Sequence, residues 1–286
     1  MQQSMQYNVN GHMVPASSAT LAVNDLAILR GYGIFDYFLF QHFQPLYIDE
    51  YLQRFFRSAE LMHLAIPMSQ TELHRAILQL IAANQAERGG IRLVLTGGYA
   101  PDGYTPVAPN LIIMQHPWPT HPEYCYTDGV KLLTAPFSRE IPEVKTINYM
   151  MGIRMLPKLK EAGAKEVLYH TGDSITESTR SNFFLLKNDG TLVTQSEDIL
   201  LGITRRQVLD LAAPLTKVEV RDLKLDELCD AREAFLTGST KKIMPVVQIN
   251  ALQIGEGRPG EFTRHLMQAF AERSKAYAKN AGQTAG

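Results

Sequence analysis

The stretch that most constrains this chain runs from Pro142 to Phe184, PEVKTINYMMGIRMLPKLKEAGAKEVLYHTGDSITESTRSNFF. It opens on Lys145 in a mostly apolar frame of Val144, Thr146 and Ile147, passes through a helix-like run, and enters a strand over 166–169. A turn rich in cap-forming residues, ITESTRSN, then carries Glu177 to the edge of an apolar strand. Any fold must therefore lodge an amine and a carboxylate at the two ends of a strand, helix and strand. A lysine among apolar residues either snorkels to water on its long stem or gives up its proton and becomes a nucleophile. A carboxylate beside an apolar strand is either an ordinary turn acid or a buried charge that needs a cationic partner. Taken alone, each residue allows both readings.

Bulk properties narrow the partners. The chain has 286 residues, 45% hydrophobic and 20% charged, enough for a sizeable core in one large or two smaller domains. A formal net charge of −1 gives no electrostatic reason to bind nucleic acid or an anionic membrane. Cys125 and Cys229 stand far apart and form neither a disulfide framework nor a CxxC metal motif, so a reducing compartment is expected. The N-terminus lacks a basic-then-apolar leader, no apolar run reaches membrane-spanning length, and the expected location is cytoplasmic. His116 and His121 have a spacing that could meet a metal, but no third ligand is evident and no metal is expected.

Read in order, residues 7–14 form a hairpin around Asn10-Gly11, 21–23 a short strand, and Asn24-Asp25 caps a turn over 26–30 that Gly31 and Gly33 end. An aromatic strand over 34–40 has the bulk of a sheet packed on both faces. A helix follows over 49–64, striped by Leu52, Phe55, Phe56, Ala59 and Met62. Ser69 to Glu72 is a capping box for the next helix, expected to close near Gly89-Gly90. Strands are expected at 91–96, 111–114, 130–134, 182–186, 192–194, 217–220, 234–237 and 243–249, with helices at 205–213 and 260–277. The proline-rich HPWPTHPEY divides the chain into a small N-terminal α/β domain (1–117), a linker (118–124) and a larger C-terminal domain (125–286), an α+β arrangement.

Two features suit phosphate. Gly202-Ile203-Thr204 opens a helix, where free N–H groups and the positive dipole end collect. Thr237-Gly238-Ser239-Thr240 offers hydroxyls on a flexible turn after a strand. Each alone equally describes a helix cap or a surface turn.

Together, Val144 to Tyr149, Ile175 to Ser178 with Ser181 to Phe184, and Gly202 to Arg205 make the chain resemble the class IV, fold-type IV aminotransferases. That family includes the D-amino acid and branched-chain aminotransferases and aminodeoxychorismate lyase. The resemblance implies a two-domain α+β fold whose larger domain holds a mixed, barrel-like sheet. It implies pyridoxal 5'-phosphate as cofactor and a homodimer whose sites lie between domains and borrow from the neighbouring subunit. It implies that Lys145 is the Schiff-base lysine and that Glu177 pairs with the pyridine nitrogen. Arg54, Ile203, Thr204, Ser239 and Thr240 then resemble the phosphate contacts, and Tyr149 a contact to the phenolic oxygen.

Every amino-acid substrate brings a carboxylate, whose natural receptor is a bidentate arginine. The usual D-amino acid enzymes place an arginine, and a histidine two residues on, where this chain has Gly97 and Tyr99. Arg30 and Arg180 are the candidates to replace them. They could equally pair with acids, Arg30 with Asp25 or Asp36 and Arg180 with Glu140 or Glu143. Tyr32, Phe35 and Tyr37 are candidates for the side-chain pocket, or plain core. The expected reaction moves an amino group between an amino acid, D favoured, and 2-oxoglutarate or pyruvate. A branched-chain L-amino acid aminotransferase and an aminodeoxychorismate lyase-like enzyme are the alternatives.

Overall fold

A computed structural model describes residues 5–283, with side chains to 279. They fall into two compact units. The first takes the chain up to Pro119, adds Val144–Asn148 and resumes at Ser274; the second holds Thr120–Glu143 and Tyr149–Arg273.

In the first unit, β1 (Gln6–Val9) and β2 (His12–Pro15) form the expected hairpin. No strand forms over 21–23, because the chain there turns so that Asp25 can cap α1 (Leu26–Arg30). Asp25 is fully buried, accepting from the Ala27 amide, the Thr96 hydroxyl and the Asn110 side-chain amide, each at 2.8 Å. Gly31 then ends α1 in the left-handed region at φ 65°. β3 (Gly33–Gln41) and β4 (Gln44–Pro45) precede α2 (Ile48–Leu61) and α3 (Gln70–Asn84), the latter opening on the capping box of Ser69 and Glu72. β5 (Arg88–Thr96) and β6 (Leu111–His116) complete a sheet ordered β2-β1-β6-β5-β3-β4.

Gly89 and Gly90 therefore lie inside β5 and do not end the helix. A Cβ at Gly89 would sit 2.7 Å from the Phe40 ring, and one at Gly90 would overlap the Tyr37 hydroxyl. The pair gives two aromatic rings of β3 room to lie across the neighbouring strand. The two faces of β3 also differ. Ile34, Asp36, Phe38 and Phe40 are fully buried, with Tyr51 of α2 5.2 Å from Phe38, whereas Phe35 and Tyr37 on the other face are only half-buried. Packing on both faces does not extend to this end of the strand.

The second unit contains α4 (Tyr124–Thr127), β7 (Val130–Pro136), α5 (Met150–Glu161), β8 (Glu166–Thr171), β9 (Ser174–Ser178), β10 (Asn182–Lys187) and β11 (Leu192–Thr194). Then come α6 (Ile203–Ala212), β12 (Val218–Val220), β13 (Leu223–Lys224), β14 (Ala231–Gly238), β15 (Lys242–Ile249) and β16 (Leu252–Gln253). α7 (Glu261–Gln283) closes the chain, its last part from Ser274 belonging to the first unit. The sheet runs β12-β11-β10-β14-β15-β7-β8-β9-β13 and is mixed, with parallel pairs β11–β12, β15–β7 and β7–β8. Strand alternation sends Phe183, Leu185, Leu236 and Met244 into one cluster. Phe184, Leu186, Phe235 and Ile243 go to the other, against Val208 of α6 and Leu266 of α7. Glu177 sits near the end of β9, not in a turn; the turn is Thr179-Arg180, leading to β10.

Candidate active site

In the first unit the segment around Lys145 lies along the start of β3. Its carbonyl accepts from the Phe35 amide at 2.9 Å, Thr146 bridges Ile34, and the Ile147 amide donates to Gly33 at 3.1 Å. Gly33 permits this approach, since a Cβ there would meet the Leu95 carbonyl at 2.8 Å and the Ile147 side chain at 3.2 Å. The neighbouring Val144 is fully buried and the half-buried Lys145 Nζ stands 4.8 Å from the Phe35 ring centroid, a cation–π distance. The frame around this amine is apolar and aromatic.

Arg54 reaches from α2 into the same unit's sheet. Its Nε and Nη2 donate to the buried Asp36 at 2.9 and 2.7 Å, a two-point clasp that fixes the guanidinium plane. Arg30 pairs with neither Asp25 nor Asp36; it is exposed and donates to the Leu29 carbonyl at 2.9 Å. The Tyr32 hydroxyl donates to the Met62 carbonyl at 2.5 Å, and burial raises its pKa above 10.0. Phe35 and Tyr37 share the half-open face of β3.

The second unit assembles a carboxylate and an anion cradle. Glu177 is buried, its Oε1 3.0 Å from Arg139 Nε, its Oε2 accepting from the Leu200 amide at 3.1 Å and the Asn182 side chain at 3.4 Å. An opposite charge and donated hydrogen bonds of this kind favour the anionic form of a carboxylate, whereas burial opposes it. Asn182 also donates to the Leu200 carbonyl at 2.7 Å. A Cβ at Gly202 would sit 2.2 Å from Asn182 Oδ1, so only glycine lets the mouth of α6 close on this amide. That mouth has no side-chain cap, leaving the first-turn N–H groups of Ile203 and Thr204 to a ligand or water. Asn182 pairs with Thr237 across β10 and β14, which brings the turn holding half-buried Ser239 and Thr240 to the same end of the sheet. Hydroxyls, helix N–H groups and a buried anionic acceptor match what a phosphopyridine needs.

Tyr149 caps α5 by position and is half-buried, and Gly152 of that helix packs against Thr179, where a Cβ would meet Cγ2 at 2.3 Å. Arg180 is largely exposed and its acid is Glu166, at 3.2 Å, rather than Glu140 or Glu143. Glu166 is itself buried against Lys241, Nζ 2.6 Å away, and accepts from the Ser178 hydroxyl at 2.5 Å. Sequence reasoning missed Arg139, Asn182, Glu166 and Lys241 as partners of this region. The asparagine stood inside the matched SNFF fragment, but the two cations carry no local signal. Among the described residues no group of three His, Cys, Asp or Glu could hold a metal ion, and no helix is long and apolar enough to cross a membrane.

Comparison with known proteins follows the same lines. The model of the amino-transferase class IV family matches residues 33–249. D-alanine aminotransferase of Listeria monocytogenes is 29% identical over 94% of this chain and 96% of its own length. A putative branched-chain-amino-acid aminotransferase of Methanocaldococcus jannaschii is also 29% identical, with the same coverage. The crystal structure of the Escherichia coli branched-chain amino acid aminotransferase superposes with a TM-score of 0.88 at 25% identity, covering 95% of each chain. The branched-chain amino acid aminotransferase of T.th. with pyridoxamine 5'-phosphate gives a TM-score of 0.88 at 24% identity, covering 97% of this chain and 96% of that one.

Proposed function

The chain belongs to the class IV aminotransferases, pyridoxal-phosphate enzymes of the two-domain α+β fold type IV, and we propose that it moves amino groups between D-amino acids and 2-oxo acids such as 2-oxoglutarate or pyruvate. The observation that carries the cofactor assignment is Glu177, a buried carboxylate bonded to Arg139 and to the Leu200 amide beside the uncapped α6. When bound, the cofactor supplies an aldehyde to hold the amino group and a cationic ring to draw electrons from the substrate α-carbon.

In this reading Lys145 would hold the cofactor and, as a free amine, would move the proton at the substrate α-carbon. Glu177 would pair with the ring nitrogen and favour its protonated form. Arg54, oriented by Asp36, and the donors of Ile203, Thr204, Ser239 and Thr240 would hold the cofactor's phosphate, and Tyr149 would be a donor to its phenolic oxygen. Arg30 and Arg180 take the substrate carboxylate, and Tyr32, Phe35 and Tyr37 line the side-chain pocket. The D preference is supported by the D-alanine aminotransferase relatives. We infer further that the enzyme acts as a cytoplasmic homodimer with shared sites.

The test is one assay of the purified protein with pyridoxal phosphate against paired D- and L-amino acids, with 2-oxoglutarate or pyruvate as acceptor. Turnover of D-alanine or D-glutamate with stoichiometric 2-oxo acid formation is the expected result. Selective turnover of L-leucine or L-valine would instead give the branched-chain reading, which the relative from Methanocaldococcus jannaschii favours. Pyruvate released from aminodeoxychorismate without an acceptor would mark a lyase. Arg30→Ala and Arg180→Ala are each expected to cost about 2–5 kcal/mol in substrate binding. Wild-type kcat/KM toward both D-substrates in both variants would exclude the arginine clamp.

A further inference from the structure

The first unit contains a buried acid that the roles above leave unused. Asp25 is fully buried, and its two oxygens serve different elements. Oδ1 accepts from the Ala27 amide at 2.8 Å and so caps α1, the helix that ends on Arg30. Oδ2 accepts from the Thr96 hydroxyl and from the Asn110 side-chain amide, both at 2.8 Å. Thr96 is the last residue of β5 and Asn110 directly precedes β6, so one carboxylate oxygen holds both ends of the loop over 97–109. A carboxylate taken out of water costs free energy unless donors replace the water, and these three do.

The two elements that Asp25 joins are also bonded to each other. The Leu26 amide donates to the Gly98 carbonyl at 3.0 Å, and the Gly97 amide to the Tyr32 carbonyl at 3.1 Å. The approach is close, since a Cβ at Gly97 would meet the Tyr32 ring at 2.8 Å and the Leu26 side chain at 2.9 Å. Farther along the loop, a Cβ built on Gly103 would lie 3.6 Å from Leu29 Cδ1 and 3.9 Å from Arg30 Nη2. With five residues, α1 is too short to stand on its own hydrogen bonds, so its direction comes from these tethers. Arg30 stands at its exposed end and donates to its own neighbour, the Leu29 carbonyl, at 2.9 Å. That bond moves with the helix, so the place of the guanidinium is set by the place of α1.

We propose that Asp25 is a positioning residue: it locks α1 and the 97–109 loop into one block and thereby holds the Arg30 guanidinium where the carboxylate of the substrate meets it. The assignment rests on Arg30 as a carboxylate receptor in the aminotransferase reading, but not on the hand of the amino acid. An Asp25 that served the fold alone would lower the melting temperature when replaced and leave substrate affinity untouched.

The experiment uses the holoenzyme and a reciprocal exchange of donor and acceptor. Asp25→Asn sets an amide against the Asn110 amide, and Asn110→Asp sets two carboxylates face to face. The double variant Asp25→Asn/Asn110→Asp restores one donor opposite one acceptor. Asp25→Asn is expected to raise KM for the preferred amino acid by about 10-fold or more while kcat changes less than about 3-fold. The double variant should return KM to within about 3-fold of the wild type. On an Arg30→Ala background Asp25→Asn should add less than about 2-fold, because a residue that acts through Arg30 has nothing further to lose. Amide hydrogen exchange, read on the same protein without substrate, reports the lock without turnover. The amides of Leu26, Tyr32, Gly97 and Val107, which bond within the block, should exchange at least about 10-fold faster in Asp25→Asn, with those inside β3 unchanged. A lower melting temperature with unchanged KM, or a rise in KM of equal size with and without Arg30, would overturn the proposal. So would unchanged exchange rates in the block. A wild-type KM in Arg30→Ala would sink the carboxylate reading instead, and the lock would then stand or fall on the exchange rates. Should Asp25→Asn not fold, Thr96→Val, which removes one donor to the same oxygen, carries the comparison.

Discussion

Glu166 and Glu177 lie on paired strands, β8 and β9, and both are buried acids facing cations, yet they are built for different work. Glu166 is closed by its own chain. Lys241, itself 1% exposed, sits 2.6 Å from Oε1, and the Ser178 hydroxyl serves Oε2. Lys241 in turn donates to the Ser181 hydroxyl at 3.0 Å, so the pair buttons the turn between β9 and β10 to the turn that begins β15. Glu177 is bonded by a backbone amide and an asparagine that also shape the opening of α6, beside the donors proposed for phosphate. Burial and ion pairing alone therefore do not mark a reactive acid. What separates the two is whether the partners join structural elements to one another or also shape a mouth where a ligand can enter.

The largest effect expected from this contrast is on stability. Lys241→Met leaves Glu166 buried without its main cation, which should cost about 3–5 kcal/mol, a fall of roughly 6–20 °C in melting temperature. The double variant Glu166→Gln/Lys241→Met removes both charges and should recover most of that loss, because paired removal avoids the stranded ion. A double variant no more stable than Lys241→Met would show that the packing of Lys241, not its charge, matters.

Glu177→Gln should behave the other way round. Glutamine still accepts from the Leu200 amide but cannot keep a pyridine nitrogen protonated, so kcat should fall by about 100–1,000-fold, the scale of one lost electrostatic contact. Its loss of melting temperature should be the smaller of the two. If Glu177→Gln instead unfolds the protein while keeping kcat in what remains folded, the two acids have been assigned the wrong way round.

A weaker effect separates the acids by pH. Burial pushes the Glu166 carboxyl up, but Lys241, Arg180 and its hydrogen bonds outweigh that and hold its pKa below the ordinary 4.5. A depressed carboxylate adds stability that is complete above its unfolded pKa and is lost as pH falls toward the folded one. Burial lowers the Lys241 pKa from 10.5, against the opposing pull of Glu166. Melting temperature should therefore decline on acidification below pH 4.5 more steeply in the wild type than in the Glu166→Gln/Lys241→Met double variant. Parallel acid limbs would remove Glu166 from the account.

How far such distinctions could be read from the chain depends on how local they are. The Asn10-Gly11 hairpin, the Ser69 capping box and the Asp25 cap were legible, since each is decided within a few residues. Gly89-Gly90 was misread as a helix end because its role, making room for Phe40 and Tyr37, depends on a strand remote in sequence. Lys145 and Glu177 stood out only once their fragments matched a family in order and spacing. Arg139 and Lys241 gave no signal at all, because a lone cation acquires meaning from the acid that folding sets beside it.

The smallest stability effect concerns Arg180, and it is the most informative about the substrate. Its side chain is 64% exposed, and the acid it touches is already neutralised by Lys241. Removing such a surface contact should change stability by no more than about 1 kcal/mol. The proposed carboxylate clamp predicts a much larger loss in catalysis, at least about 30-fold in kcat/KM toward D-glutamate or D-alanine, with KM rising more than kcat falls. A guanidinium whose loss hardly moves the melting temperature but removes substrate affinity is not held there for the fold. If Arg180→Ala lowers stability and leaves KM alone, the guanidinium belongs to the Glu166 cluster, and the substrate carboxylate has its receptor elsewhere.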